Sequence, residues 1–209
     1  MNQAIEIARL LLNIKAVTLN LEAPYRYTSG LLSPIYCDNR LIISYPYKRK
    51  IIVDSFLHLI EKNQLRFDVV AGTATAGIPH AAWIADRLNL PMIYVRNKAK
   101  TYGKQNRIEG RLEKGQKVLI VEDLISIGEN SIAAGAALRE CEGWVTDCVA
   151  IFSYQLPQAI QNFSKACINC YTLSNFSTLI EVAVKENYIN EKEKRKALIW
   201  NKNPEKWKP

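Results

Sequence analysis

Two adjacent carboxylates, Glu122 and Asp123, close the apolar run 117–121, and a turn containing Ser126 and Gly128 follows before a helical pattern begins near Ser131. An apolar run of that length reads as a buried strand. Neighbouring side chains on a strand point to opposite faces, so the carboxylates project differently while both sit at the carboxyl edge of the sheet. There they can accept hydrogen bonds from the vicinal hydroxyls of a sugar and hold charge beside a developing oxocarbenium ion. An acidic pair ahead of a helix also favours the helix dipole, so its meaning comes from what flanks it. The loop 124–130 opens a helix whose first amides have no internal partner, which makes an anion site, with Ser126 as an added hydroxyl donor. Strand, acidic pair, loop and helix together are how an open α/β sheet presents a sugar phosphate.

A second segment carries charge of the other sign. Arg96, Lys98, Lys100, Lys104, Arg107, Arg111, Lys114 and Lys117 stand against Glu109 and Glu113. The first half of this stretch is polar, contains Gly103 and has no apolar period, so it reads as a mobile basic loop that suits a polyanion. No nucleic-acid motif is present and no aromatic platforms interleave the basic residues, so a phosphorylated small molecule is expected and nucleic acid is not.

The elements that must position these groups are legible as periods. Residues 2–14 read as a helix, and 25–29 and 33–39 as short strands around Gly30. Pro46 opens a helix with Ile51, Ile52, Phe56, Leu59 and Ile60 on one face. A buried strand at 67–71 runs into Gly72-Thr73-Ala74-Thr75-Ala76-Gly77, whose small residues let backbone amides approach a ligand. Then come a helix 78–88, a strand 92–95, and strands 107–112 and 117–121 joined at Lys114-Gly115. A helix 131–142, a strand 144–153, a helix 157–164, a strand 168–173 and helices near 178–185 and 191–200 complete the chain. Strands alternating with helices predict an α/β fold with a doubly wound, mostly parallel sheet.

Composition fits that architecture. With 209 residues and 48% hydrophobic content the chain can bury a real core. No run of eighteen apolar residues occurs, since Gly72, Gly77, Pro79 and His80 interrupt 69–85, and the N-terminus reads as an amphipathic helix and not a signal peptide. Five cysteines without framework spacing predict free thiols and a cytoplasmic protein. Cys167 and Cys170 form one CxxC, but strand positions three apart face opposite ways and Cys141 and Cys148 are poorly spaced as a second pair, so no metal site is expected. The tail from Glu191 carries seven basic residues against three glutamates and reads as a solvated basic helix.

Four segments, YTSGLLSPIYCDNRL (27–41), AGTATAGIPHAA (71–82), PMIYVRNKAKTYGKQNRIEGRLEKGQKVLIVEDLIS (91–126) and YTLSNFSTLIEVA (171–183), resemble in order and spacing the bacterial orotate phosphoribosyltransferases. The resemblance covers nearly the whole chain. It implies the type I phosphoribosyltransferase fold, with an N-terminal helix and hood at 1–45, a core at 46–190 including the mobile basic loop 97–108, and the basic C-terminal helix and tail at 191–209. It implies transfer of phosphoribosyl from 5-phosphoribosyl 1-diphosphate to orotate, giving orotidine 5′-monophosphate in pyrimidine biosynthesis, with magnesium and a homodimer whose basic loop acts on the neighbouring subunit. Carried over by position, Arg96, Lys98 and Lys100 hold the diphosphate, Lys100 from the neighbouring subunit, beside Tyr102. Glu122 and Asp123 hold the ribose hydroxyls, and with Lys100 form the catalytic set. Leu124, Ile125, Ser126, Ile127, Gly128, Glu129 and Asn130 surround the 5′-phosphate, Ser126 also near orotate. Thr73, Ala74 and Thr75 face the diphosphate through their backbone, and Ser33 and Tyr36 lie near the base.

Four positions depart from the family pattern. Tyr102 stands where the loop has histidine, and Leu32 where a lysine precedes SPIY. Ile127 and Glu129 stand among positions that are small or hydroxylic in the family. A carboxylate about 4 Å from a phosphate charge costs about 4 kcal/mol at an effective dielectric of 20. An inward Glu129 therefore predicts weakened turnover, and the alternative reading is a catalytically impaired paralogue serving as a nucleotide-binding or partner subunit.

Overall fold

The computed structural model describes residues 2–27, 30–97 and 107–208. Helix α1 (Gln3–Asn13) is capped by the Asn2 side chain and buries Ile7, Leu10 and Leu11. Four short strands follow: β1 (Val17–Leu19), β2 (Tyr25–Arg26), β3 (Leu32–Ser33) and β4 (Ile35–Cys37). They pair as two antiparallel ribbons, β1 with β4 and β2 with β3, the second turning at Gly30. A 3-10 helix at Asn39–Ser44 leads into α2 (Pro46–Lys62), with proline in the first turn as its fixed φ favours.

The core then alternates as expected: β5 (Val69–Thr73), α3 (Gly77–Leu88), β6 (Met92–Val95), β7 (Ile108–Glu109), β8 (Lys117–Ile125), α4 (Glu129–Glu140), β9 (Trp144–Ser153), α5 (Pro157–Lys165), β10 (Asn169–Asn175), α6 (Phe176–Lys185) and α7 (Glu191–Lys202). The six-stranded sheet has the order β10-β9-β8-β5-β6-β7, parallel except at β7. Side-chain alternation sorts the strands between two apolar layers. Val70, Leu119, Val121, Val149 and Ile151 join the larger cluster with α1, α2 and α6. Val69, Ala71, Val118, Ile120, Cys148 and Ala150 join the smaller cluster with α4 and α5. Helices on both faces make the sheet doubly wound.

Three expectations change. The strand at 107–112 shrinks to two residues and pairs with β6, Tyr94 opposite Glu109 and Val95 opposite Ile108, so it does not form a hairpin with 117–121. The basic loop therefore connects β6 to the edge strand β7. Strand β8 runs four residues past its expected end, because the ten-residue β9 beside it pairs with Glu122, Leu124 and Ile125. The tail is not a solvated helix: Ala197 and Trp200 are fully buried and Trp207 nearly so. The Trp200 ring lies 5.8 Å from that of Tyr154 and 5.7 Å from that of Phe176, and its Nε1 donates to the Leu32 carbonyl at 3.1 Å. The lysines face water while a narrow apolar stripe seals the hood onto the core.

Candidate functional site

The extension of β8 sets the site. Leu124 and Ile125, expected in the loop, are strand residues, and Ile125 is buried in the smaller cluster. The turn contracts to residues 126–128, and α4 starts at Glu129, two residues before the expected position. Gly128 caps α4 with φ +84° and no side-chain cap, leaving the first-turn amides for a ligand. A Cβ there would lie 2.5 Å from the Phe163 ring, so the turn needs glycine for both its conformation and its closeness to α5. Between Glu122 and residues 126–131 lies a cavity of about 210 Å³.

On this end of β8, paired with β9 alone, the carboxylates diverge. Glu122 shares the α4 face and is 6% exposed. Its Oε1 accepts from the Asp123 amide at 3.0 Å and its Oε2 from Ser131 Oγ at 3.2 Å. Asp123 turns toward the hood, where Cys37 and the Arg40 guanidinium face it. Asn39 Nδ2 donates to the Asp123 carbonyl at 2.7 Å, tying the hood to the strand. Arg40 itself grips Asp38 with two bonds of 2.6 and 2.8 Å. Burial raises the pKa of both carboxyls, and the neighbouring Asp123 charge raises Glu122 further. A carboxyl in that state gains most from a ligand that brings hydrogen-bond donors or positive charge.

The remaining expected residues fall into three groups. Around the cavity, Ser126 and Ile127 are half-buried, while Glu129 and Asn130 are exposed. Glu129 stands exposed in the first turn of α4, where an acidic side chain favours the dipole, and with Ile127 it lines the cavity. Ile127 packs on the larger apolar cluster, and its carbonyl accepts from Asn162 Nδ2 at 3.0 Å. At the end of β5, Thr73 is buried and donates to the Val121 carbonyl at 3.1 Å, while Ala74 N donates to the Val95 carbonyl and Thr75 is exposed. The Ala74–Thr75 peptide is cis. A Cβ on Gly77 would collide with the Val121 carbonyl and the Thr73 hydroxyl, so glycine lets α3 start directly against the strands.

In the hood, Ser33 is fully buried, its hydroxyl donating to the Ile35 carbonyl at 2.9 Å and accepting from the Ile35 amide at 3.2 Å. It holds the turn together. Tyr36 is 42% exposed with its ring 5.5 Å from Tyr25, and Leu32 packs on the larger cluster. Arg96 stands at the root of the basic loop, 3.5 Å from Glu109, with its amide donating to the Arg107 carbonyl at 2.8 Å. Lys98, Lys100 and Tyr102 lie outside the described residues.

Residues the sequence reading passed over also enter the site: Asn39 and Arg40 from the hood, and Ser131 from α4. Ser131 left a signal. It stands on the inward stripe Ser131, Ala134, Gly135 and Leu138, where a hydroxyl must find a polar partner.

Residues 46–185 match the model of the phosphoribosyl transferase domain. Over all 209 residues, and all of the relative, the chain is 76% identical to an orotate phosphoribosyltransferase of Coxiella burnetii. It is 49% identical over 202 residues to that of Listeria monocytogenes, covering 97% of each chain. The crystal structure of orotate phosphoribosyltransferase from Aeropyrum pernix superposes with a TM-score of 0.76 at 25% identity, over 88% of this chain and 99% of the other.

Proposed function

The chain belongs to the phosphoribosyl transferase family as an orotate phosphoribosyltransferase, and from that premise we propose how its own residues carry out the transfer. The reaction breaks the C1′–oxygen bond of 5-phosphoribosyl 1-diphosphate and forms a bond from C1′ to the orotate ring nitrogen. Diphosphate leaves with the bonding electrons, and orotidine 5′-monophosphate is formed in pyrimidine biosynthesis.

The observation that carries the assignment of roles is the buried carboxylate pair at the end of β8, set beside the uncapped N-terminus of α4. The 5′-phosphate sits on the amides of residues 126–130, with Ser126 as a further donor. Glu122 and Asp123 accept the ribose hydroxyls and stabilise the cationic sugar, and in so dry a place their charges act strongly. Thr73, Ala74 and Thr75 turn backbone toward the diphosphate. Arg96 and Lys98 neutralise it, with Lys100 supplied by the neighbouring subunit, and closure of the basic loop 97–108 excludes water. Tyr36 and the hood backbone around Ser33 border the base.

Magnesium fits this site as a companion of the substrate. Among the described residues no three His, Cys, Asp or Glu side chains gather into a cage, and magnesium commonly binds through substrate phosphates with few protein ligands. When bound it supplies positive charge against the departing diphosphate. A homodimer is supported by Tyr36, Leu41, Tyr45 and Tyr47, four large side chains left 40–73% exposed within twelve residues. Free cysteines support a cytoplasmic enzyme. The hood at 1–45, the core at 46–190 and the sealing tail at 191–209 form its proposed organisation.

Nothing observed favours the impaired-subunit reading. Identity to orotate phosphoribosyltransferases over the whole chain supports an active enzyme even with Ile127 and Glu129 lining the cavity. The test is a titration with 5-phosphoribosyl 1-diphosphate and magnesium, followed by an orotate turnover assay. Saturable binding and orotidine 5′-monophosphate formation are expected, and their absence would overturn the assignment of roles.

A further inference from the structure

Glu122 is the most deeply placed charged side chain of the site, and its usefulness depends on where its two oxygens point. Oε1 is fixed by the backbone, through the Asp123 amide. Two hydroxyls lie near the carboxyl. That of Thr73 faces the carboxyl but gives its proton to the Val121 carbonyl at 3.1 Å. That of Ser131, 1% exposed, gives its proton to Oε2 at 3.2 Å. A hydroxyl has one proton, so Ser131 is the side chain committed to this carboxyl.

Ser131 is itself backed. The fully buried Cys148 thiol lies beside Ser131 and Cys170, the latter opposite it on β10, and itself donates to the Val149 carbonyl at 4.0 Å. Ser131 on α4 thus donates to Glu122 on β8, with Cys148 on β9 beside it. Three separate elements converge on one rotamer, as a preorganised site requires.

We propose that Ser131 is the positioning residue of Glu122, holding its carboxyl in the orientation that meets the substrate's ribose hydroxyls, with Cys148 supporting it from the neighbouring strand. The proposal rests on the assignment of Glu122 to the ribose. The groups that face Glu122 are Asp123 on its own strand, Thr73 from β5, Ser131 from α4 and Cys148 from β9, of which Asp123 and Cys148 titrate.

Steady-state kinetics of Ser131→Ala, Ser131→Thr and Ser131→Val test this. A hydrogen bond to a charged group is commonly strong enough that Ser131→Ala should lower kcat/KM for 5-phosphoribosyl 1-diphosphate by on the order of 10- to 100-fold. The KM for orotate should stay unchanged. The acid limb of the pH profile should move to higher pH, since a lost donor disfavours the ionised carboxyl. Ser131→Thr should recover most of the rate, and the isosteric Ser131→Val should not. An unchanged Ser131→Ala, equal losses in the threonine and valine variants, or a parallel rise in the KM for orotate would each overturn the role. Glu122→Gln separates the two layers: an unimpaired Glu122→Gln removes the assignment of Glu122 itself, whereas an impaired Glu122→Gln beside an intact Ser131→Ala removes only the positioning role.

Discussion

Glu122 is held in a place where a carboxylate is costly, and the cost is visible in its raised pKa. A folded-state pKa above the ordinary 4.5 means that the folded protein keeps a proton the unfolded chain has lost, so stability falls as pH rises above 4.5. Glu122→Gln should therefore melt at least as high as the parent at pH 8, with no gain near pH 4, while its turnover drops by on the order of 100-fold or more. Scanning calorimetry beside the kinetics reads both, and a stability loss at pH 8 would contradict the assignment. His80 shows the opposite sign. It is fully buried between Phe56 and Trp83, neither ring nitrogen has a hydrogen-bond partner among the described residues, and burial pushes its pKa down to about 4. The unfolded chain takes up a proton near pH 6.5 and the folded one does not, so stability is lost as pH falls from 6.5 toward 4. Between pH 7 and pH 5 the loss is on the order of 2 kcal/mol, and denaturant titrations of His80→Leu should show it removed. The sequence displayed the acidic pair, because adjacent carboxylates ending an apolar run are a local pattern. It did not display the partner of Ser131, because orientation depends on where α4 starts.

At the scale of elements, two placements decide the site's shape. The long β9 draws β8 out to Ile125, so the phosphate turn is three residues and leans on α5. Gly128→Ala would force a side chain into a left-handed conformation and against Phe163. The expected result is a rise in the KM for 5-phosphoribosyl 1-diphosphate together with about 1 to 3 kcal/mol of lost stability, measured by kinetics and urea unfolding. The other placement is α7. Trp200 fills the junction of α6, the Tyr154 ring and the hood, and its indole nitrogen holds the Leu32 carbonyl. Trp200→Ala should cost about 3 to 5 kcal/mol and loosen the hood, raising the KM for orotate. Charge counting on the tail missed this, since a helix with many lysines still needs only a few inward positions to be buried.

For the whole molecule, the proposed dimer has a direct functional test. If Lys100 serves the partner's site, a Lys100→Ala subunit and an Asp123→Asn subunit each kill a different half of every site. Homodimers of either variant should be nearly inactive. Refolded together at equal amounts, half of the dimers are mixed, and each mixed dimer has one site with both residues intact. Activity should then return to about a quarter of the parent's, a consequence of two-fold symmetry. No recovery in the mixture, with mixed dimers verified by mass spectrometry, would place Lys100 in its own subunit's site.

Strand and helix periods determined the α/β class and the alternation of the core, because period 2 and period 3.6 patterns are local consequences of which side chains must be buried. The segments 71–82 and 91–126 likewise carried the family resemblance that the relatives bear out, because order and spacing of residue types are properties of the sequence itself. Only the tertiary structure decided how far β8 extends, which strand β7 joins, that the basic tail is a seal, and that Ser131 faces Glu122. Each of these is set by a neighbour distant in sequence: β9 for β8, β6 for β7, the hood for α7 and β8 for α4. A pattern read along one segment carries no record of the segment that packs against it.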